Sequence, residues 1–333
     1  MKTLVLVPFS TSGLAALHDL GDVVYEPWTE TQEIQDPEEL GQRIAAEGVD
    51  ALVVEIDFLF EELFYAAPGL RFAAICRSAL NQVDLGAATD RGVVIAHTPG
   101  RNAQAVAELV LGHLLSLARH IPQAREYVAN GDWEDPTEPY TRFQGRELAG
   151  ATLGLVGLGR IGTRVARLAR GVGMRVLAYD PYVAPGTRAA AGLTLVDLNT
   201  LLATSDFVSI HVPETIETVG MLDSEALAKM RPDAYLVNVT SPTIVDRGAL
   251  VEALRTRKIA GAAMDVHDSH PLAPDSPFID MPNVLLTPHI GGATRETIER
   301  HSAMVVEDLR RFAGGAKPKH LANPDVWARR RKP

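Results

Sequence analysis

A chain of 333 residues is long enough for two domains, each with its own core. Hydrophobic residues make up 46% and charged residues 22%, the balance of a soluble globular protein, and a net charge of −10 disfavours nucleic-acid and anionic-membrane partners. The single cysteine, Cys76, allows no internal disulfide and suits a reducing cytosol, so a cytoplasmic protein is expected. The first apolar run is too short for a signal peptide and nothing approaches transmembrane length.

In chain order, residues 2–7 predict a first strand, 11–20 a helix and 22–25 a short strand. Asp36 and Pro37 supply an N-cap and a first-turn proline for a helix over 37–46. Strands at 51–54, 72–75 and 93–96, with helical segments between them, complete a small open α/β domain. Thr98-Pro99-Gly100 ends it. Asn102 is placed to cap a long helix over 103–119, whose apolar content suits either a core element or an oligomer contact. A second helix over 122–129 and a loop over 131–145 follow.

Residues 151–162 organise what comes next. Leu153 to Val156 read as a buried parallel strand, and Gly157, Gly159 and Gly162 fit G-x-G-x-x-G ahead of a helix. One glycine serves the tight turn, one the approach of backbone to a pyrophosphate, one close helix–strand contact. The helix N-terminus supplies free N–H groups for the phosphates. A strand over 174–179 then ends on Asp180, where a carboxylate would take ribose hydroxyls. Asp180 also favours NAD over NADP, because a 2′-phosphate would face a carboxylate. Pro181-Tyr182 offer no arginine, and Arg188 further on is the one counter-hint. Further strands at 207–211, 234–239, 259–264 and 284–287 suit a doubly wound dinucleotide domain with an extra strand. A last helix runs from 292 to 312. The tail, ending in Arg329-Arg330-Arg331-Lys332, reads as a solvated, poorly ordered terminus. The ligand is expected where the two domains face each other, beyond the carboxyl ends of the strands.

Other matches accumulate: Asn81-Gln-Val-Asp84, Thr98-Pro-Gly-Arg-Asn102, Gly145-Arg-Glu-Leu148, His211-Val-Pro213, Met264-Asp-Val266 and Leu286-Thr-Pro-His-Ile-Gly-Gly-Ala-Thr294. Together they resemble the D-isomer-specific 2-hydroxyacid dehydrogenases, especially the D-3-phosphoglycerate dehydrogenase-like branch, over nearly the whole chain. The resemblance implies an α/β fold of two domains, a Rossmann doubly wound parallel sheet inserted into a flavodoxin-like α/β substrate domain. Residues 1–101 and 290–333 would form the discontinuous substrate domain and 102–289 the NAD-binding domain. It also implies a homodimer built by the long helix, and reversible hydride transfer between the nicotinamide of NAD and C2 of a 2-oxo or 2-hydroxy acid. Gly159, Arg160 and Ile161 would line the pyrophosphate, with Gly157 and Gly162 shaping the turn and Asp180 at the ribose. His211, Val212, Pro213 and Thr218 would pack by the adenine side, Asp265 would hold the carboxamide, and Val239, Thr240, His289 and Gly291 would complete the cofactor site. No metal is implied.

The catalytic groups depart from the family pattern of arginine, glutamate and histidine. An arginine would clamp the substrate carboxylate and polarise its carbonyl. A histidine would move the hydroxyl proton, and a carboxylate would orient that imidazole. His289 stands at the histidine position. The arginine segment reads Asn238-Val-Thr-Ser-Pro-Thr-Ile-Val-Asp246, so Ser241 replaces the arginine and Pro242 a glycine. Asp265-Val-His-Asp-Ser-His-Pro-Leu272 puts His270 in place of the glutamate. Asp268 could substitute only if the loop shifts, and a His270–His289 pair would titrate as a unit. Arg77, with Ser78 and Ala79 in the loop that in this family cradles the substrate acid group, is the first candidate for a relocated anion clamp. Arg101 and Arg142 come after it. Trp133 and Phe143 are expected at a subunit contact. These departures point away from an ordinary substrate and toward a specialised small anionic acid, a phosphonate or phosphate-bearing one among the candidates. The alternative is an NAD(H)-sensing binding protein on the same fold, with little turnover.

Overall fold

The computed structural model describes residues 1–183 and 193–332; Arg188 lies outside the described residues. The chain divides into two compact units, Met1–Arg101 with Thr294–Pro333, and Asn102–Ala293. No helix among the described residues is long and apolar enough to cross a membrane.

The first unit is built on five parallel strands: β1 (Thr3–Val5), β2 (Val23–Tyr25), β3 (Ala51–Val54), β4 (Phe72–Ile75) and β5 (Val94–His97), in the order β2-β1-β3-β4-β5. β3 and β4 are apolar at every position because both faces are covered. Leu52, Val54, Ala73 and Ile75 face the helices Pro37–Glu47 and Glu61–Ala66 through Leu40, Ile44, Leu63 and Phe64. Ala51, Val53, Phe72, Ala74 and the buried Cys76 face Leu17, Leu309 and Phe312, brought by the helices Thr11–His18 and Arg295–Ala313. Asp36 caps as its sequence position predicts, accepting from the amides of Glu38 at 2.9 Å and Glu39 at 3.1 Å.

Two expectations are corrected in this unit and its junction. The tail is docked rather than solvated. β5 is an edge strand whose outer row of backbone groups needs partners. Residues 320–323 supply them: Ala322 N donates to Ile95 O at 2.7 Å, and Asn323 Oδ1 accepts from Ile95 N at 2.9 Å. Val326 is fully buried beyond them, and Arg331 N donates to Gly92 O at 3.0 Å. Asn102, for its part, precedes the helix Ala103–Arg119 but makes no side-chain cap bond. Its φ of −100° and ψ of 3° continue the preceding turn instead of the extended geometry that capping needs.

Among the described residues the second unit carries seven parallel strands, in the order β12-β11-β10-β9-β6-β7-β8. They are β6 (Thr152–Val156), β7 (Arg175–Tyr179), β8 (Thr194–Leu195), β9 (Phe207–Ile210), β10 (Tyr235–Asn238), β11 (Gly261–Met264) and β12 (Val284–Leu286). The sequence had shown six, because the two residues of β8 are too few for a pattern. The order reverses at β6, so the loop after β6 lies at the topological switch point where such sheets take ligands. The helix Ala103–Arg119 buries Val106, Val110, Leu114 and Leu117 in the core over β6, and Leu115 stays exposed. The expected loop over 131–145 holds a short helix, Glu138–Arg142, closed by an Arg142–Glu138 ion pair at 2.9 Å. Phe143 packs edge-on against Tyr127 with ring centroids 5.3 Å apart, and Trp133 is exposed.

Candidate active site

The glycine loop shows why Gly157 and Gly162 must be glycines. Gly157 has a φ of +101°, a region side chains avoid, and a Cβ there would lie 2.8 Å from the His211 carbonyl carbon. A Cβ on Gly162 would come within 2.2 Å of Gly157 O. A Cβ on Gly159 would meet nothing within 4 Å, so this position borders open space at the N-terminus of the helix Arg160–Gly171. The first-turn amides of that helix, from Arg160, Ile161 and Gly162, have no intrahelical acceptor by construction. A backbone cradle of this kind fits a pyrophosphate.

The neighbouring strand ends shape the rest of the cradle. Asp180, just past β7, accepts from Leu158 N at 2.8 Å and from Tyr182 N at 3.0 Å, which ties it to the glycine loop. His211, just past β9, is buried, and burial alone pushes its pKa down to about 3. Its Nε2 contacts Ser209 Oγ at 2.9 Å, while Nδ1 has no hydrogen-bond partner. Val212 lies beside Gly157, and Pro213 O accepts from Thr218 Oγ1 at 2.7 Å, closing the loop on itself. Tyr182 donates to Glu217 Oε2 at 2.9 Å across the two loops. A neutral imidazole, open glycine backbone and a carboxylate at the second strand end match the chemistry of an adenine dinucleotide.

Farther along the same edge, the loops after β11 and β12 bring His270 and His289 together. Asp265 is 1% exposed, and its carboxylate holds the loop after β12. It accepts from Thr287 Oγ1 at 2.6 Å, Ile290 N at 2.9 Å and Gly291 N at 2.8 Å. A carboxylate has about four acceptor positions, so these three bonds fill all but one. His289, at the tip of this loop, has a φ of 57°. Its Nδ1 lies 2.9 Å from His270 Nε2. Asp268 does not take part: it pairs with Arg247 at 2.9 Å. His267 Nε2 contacts Thr287 O at 2.9 Å, and buried His113 contacts Thr287 Oγ1 at 3.3 Å. Burial lowers the His113 pKa, with Asp265 acting in the opposite sense. Through these contacts Thr287 ties the loop to Asp265 and to His113 of the helix Ala103–Arg119.

Ser241, standing at the arginine position, is nearly buried and its hydroxyl is committed. It donates to Glu214 Oε2 at 2.6 Å and contacts Thr243 Oγ1 at 2.9 Å. These hydroxyls hold the Glu214 carboxyl below the usual carboxylate range, Ser241 contributing most. Thr240 Oγ1 donates to Ile210 O at 2.8 Å, and Asn238 Nδ2 to Ser241 O at 2.8 Å. Val239 is buried between them. The loop is therefore stitched to the exit of β9, and Glu214 is a feature the sequence reading missed.

In the first unit, Arg77 donates to Gln82 Oε1 at 3.0 Å and Gln82 Nε2 donates to Glu55 O at 2.7 Å. Burial lowers the Arg77 pKa, and Glu55 acts in the opposite sense. Ser78 and Ala79 are exposed beside it, and Ser78 Oγ accepts from Gly100 N at 3.0 Å. Arg101 is already spent: it pairs with Glu55 and meets His301 Nδ1 at 2.8 Å. His301 Nε2 in turn contacts Pro8 O at 2.8 Å, and burial pushes its pKa down to about 4. Arg142 lies over the Tyr127 ring and is paired with Glu138. Of the three arginines, Arg77 alone lies in the Ser78–Ala79 loop without an acidic partner at ion-pair distance among the described residues.

Residues 111–291 match the model of the D-isomer specific 2-hydroxyacid dehydrogenase NAD-binding domain. The chain is 40% identical over 278 residues to a glyoxylate reductase of Korarchaeum cryptofilum, covering 83% of each chain. It is 36% identical over 324 residues to the D-3-phosphoglycerate dehydrogenase of Archaeoglobus fulgidus, covering 97% of this chain and 59% of that longer one. Its structure is similar to that of the TT0316 protein of Thermus thermophilus, with a TM-score of 0.85 at 35% identity, covering 97% of this chain and 100% of that one. The chain belongs to the D-isomer specific 2-hydroxyacid dehydrogenase family, NAD-dependent oxidoreductases that act on the CH–OH group of hydroxy acids.

Proposed function

We propose that this enzyme acts on a small anionic 2-hydroxy or 2-oxo acid, with His289 as its acid–base group and Arg77 as its anion clamp. The nicotinamide, when bound, supplies or accepts the hydride at C2. His289 gives a proton to the C2 oxygen in reduction and takes it back in oxidation. His270 holds the far nitrogen of that ring. Across the 2.9 Å contact one nitrogen donates and the other accepts, so a neutral His270 orients His289 as a carboxylate would, without adding a negative charge. Asp265 fixes the loop carrying His289, and its remaining acceptor position suits the carboxamide. The His270–His289 contact is the observation that carries this reading. Ser241 cannot hold an anion as an arginine would, since its proton points to Glu214. Arg77 takes that task, with Ser78 and Ala79 beside it.

On this reading residues 102–289 bind NAD, and 1–101 with 290–333 bind the substrate. Exposed Leu115, Ile121, Val128 and Trp133 favour a homodimer, and the lone reduced cysteine favours a cytoplasmic location. A phosphonate- or phosphate-bearing acid belongs in the substrate panel because both family groups at the substrate are replaced. NADH oxidation across a panel of 2-oxo acids tests the proposal. Turnover of at least one acid that depends on His289 supports it. Tight NADH binding with no turnover would support the second reading, an NAD(H)-sensing protein, which the committed Ser241 hydroxyl favours.

A further inference from the structure

The loops after β7 and β9 meet across the glycine loop. β6 lies between β7 and β9 and pairs with both. Neighbouring strands stand about 4.8 Å apart, so the two outer loops leave from strand ends about 10 Å apart, with the carboxyl end of β6 between them. Each loop is fastened beside the glycine loop at its base. On one side Leu158 N donates to Asp180 Oδ2 at 2.8 Å, and Tyr182 N donates to Asp180 Oδ1 at 3.0 Å. On the other, a Cβ on Gly157 would lie 2.8 Å from the His211 carbonyl carbon and 3.0 Å from Val212. Thr218 Oγ1 donates to Pro213 O at 2.7 Å and accepts from Thr215 N at 2.8 Å, which folds residues 213–218 into a tight turn carrying Glu217. From these two bases the side chains reach each other, and the Tyr182 hydroxyl donates to Glu217 Oε2 at 2.9 Å. The Glu217 carboxylate that accepts this bond holds the phenol above its usual range, and the Asp180 charge acts in the same sense. Tyr182 is 83% exposed, and Glu217 is exposed as well. Neither side chain therefore serves the core, yet both ends of the contact are fixed.

We propose that the Tyr182–Glu217 hydrogen bond is a strap across the adenosine end of the cofactor crevice, which opens for NAD(H) to enter or leave and recloses behind it. The inference rests on the placement of the cofactor at the glycine loop and adds a gate to it. Two exposed side chains joined by one hydrogen bond part readily, because water replaces each partner. A strap that bridges the crevice without touching the dinucleotide closes equally well over an empty and an occupied site. It then slows entry and exit by the same factor and leaves the equilibrium affinity where it was. The strap is thus set apart from Asp180, which on the same reading contacts the ribose and sets affinity.

Stopped-flow fluorescence of NADH tests the strap in the intact protein, Tyr182→Phe, Glu217→Ala and the double variant. Entry is followed on mixing, and exit on displacement by excess NAD. In Tyr182→Phe both rate constants should rise about threefold, the worth of one exposed hydrogen bond, with Kd unchanged. Glu217→Ala should do the same. The double variant should be no faster than either single one, because each removes the same bond. Unchanged rates in Tyr182→Phe would overturn the inference. Faster exit with unchanged entry would overturn it as well, by making the phenol a direct contact of the bound cofactor. So would effects that multiply in the double variant. Failure of the intact protein to bind NADH would contradict the cofactor site itself and the strap with it, whereas unchanged rates with NADH binding intact contradict the strap alone.

Discussion

His270 Nε2 and His289 Nδ1 lie 2.9 Å apart at the tips of the loops that follow β11 and β12. Two imidazoles at this distance share a hydrogen bond only when one of the facing nitrogens is unprotonated. Full protonation of both would set N–H against N–H. On the proposed reading His270 positions the His289 ring, so replacing His270 should act through His289. His270→Ala should lower kcat about tenfold with little change in KM, and His270→Glu, which restores an acceptor for the His289 ring N–H, should recover most of the loss. Equal losses in both variants would assign His270 to loop structure alone.

On the proposed reading, Arg77 is the cation that holds the substrate acid group. Losing one charge-assisted contact of about 1.5–3 kcal/mol corresponds to roughly a ten- to hundredfold fall in kcat/KM. Arg77→Ala should show that fall with NADH affinity intact. Unchanged kcat/KM would place the clamp elsewhere. Arg101 is no longer the natural second choice, since its removal would strand Glu55 and His301 in a buried network.

Cofactor preference should follow Asp180. Its carboxylate is fixed by the amides of Leu158 and Tyr182, so it cannot swing away from a 2′-phosphate without breaking both bonds. NADH should bind more tightly than NADPH, and Asp180→Ala should erase the difference. Equal affinities in the intact protein would remove the argument from this carboxylate.

Acid should weaken the fold before it protonates most carboxylates. The folded-state values of about 3 for His211 and about 4 for His301 lie below the unperturbed value of about 6.5. As pH falls from about 6.5 towards 4, the unfolded chain takes up protons that these buried rings refuse, so stability falls with pH. Denaturant midpoints measured across that window should decline, and His301→Gln should flatten the slope. A constant midpoint would mean that the two rings are not kept neutral.

The exposed apolar side chains Leu115, Ile121, Val128, Trp133 and Tyr140 cluster within residues 115–140. Light scattering at micromolar concentration should give twice the chain mass or a multiple of it. A strictly monomeric mass would leave these side chains without a partner.

What the sequence disclosed follows the range of the interactions involved. β3 and β4 were legible to the residue, because burial on both faces demands an unbroken apolar run. The G-x-G-x-x-G turn was legible because backbone geometry at Gly157 and Gly162 admits almost nothing else. β8 was not, since two edge residues carry no period. The docked tail was missed because Asn323 is recruited by an edge strand more than two hundred residues away. In the site, the substitutions at Ser241 and His270 could be read by position. The chain does not reveal by local pattern that Ser241 turns its hydroxyl to Glu214, or that Asp268 turns to Arg247, because each partner comes from a different strand end. The bond from Thr287 to Asp265 was hidden for the same reason.

Reduction of a 2-oxo acid panel, phosphonate- and phosphate-bearing members included, with NADH deuterated at the transferred position tests the proposal most directly. The intact enzyme and His289→Gln are compared. The expected result is deuterium at C2 of the hydroxy acid product, with kcat/KM lower by about a hundredfold or more in His289→Gln and NADH affinity preserved. Deuterium transfer at equal rates in both proteins, or tight NADH binding with no labelled product from any acid, would contradict it.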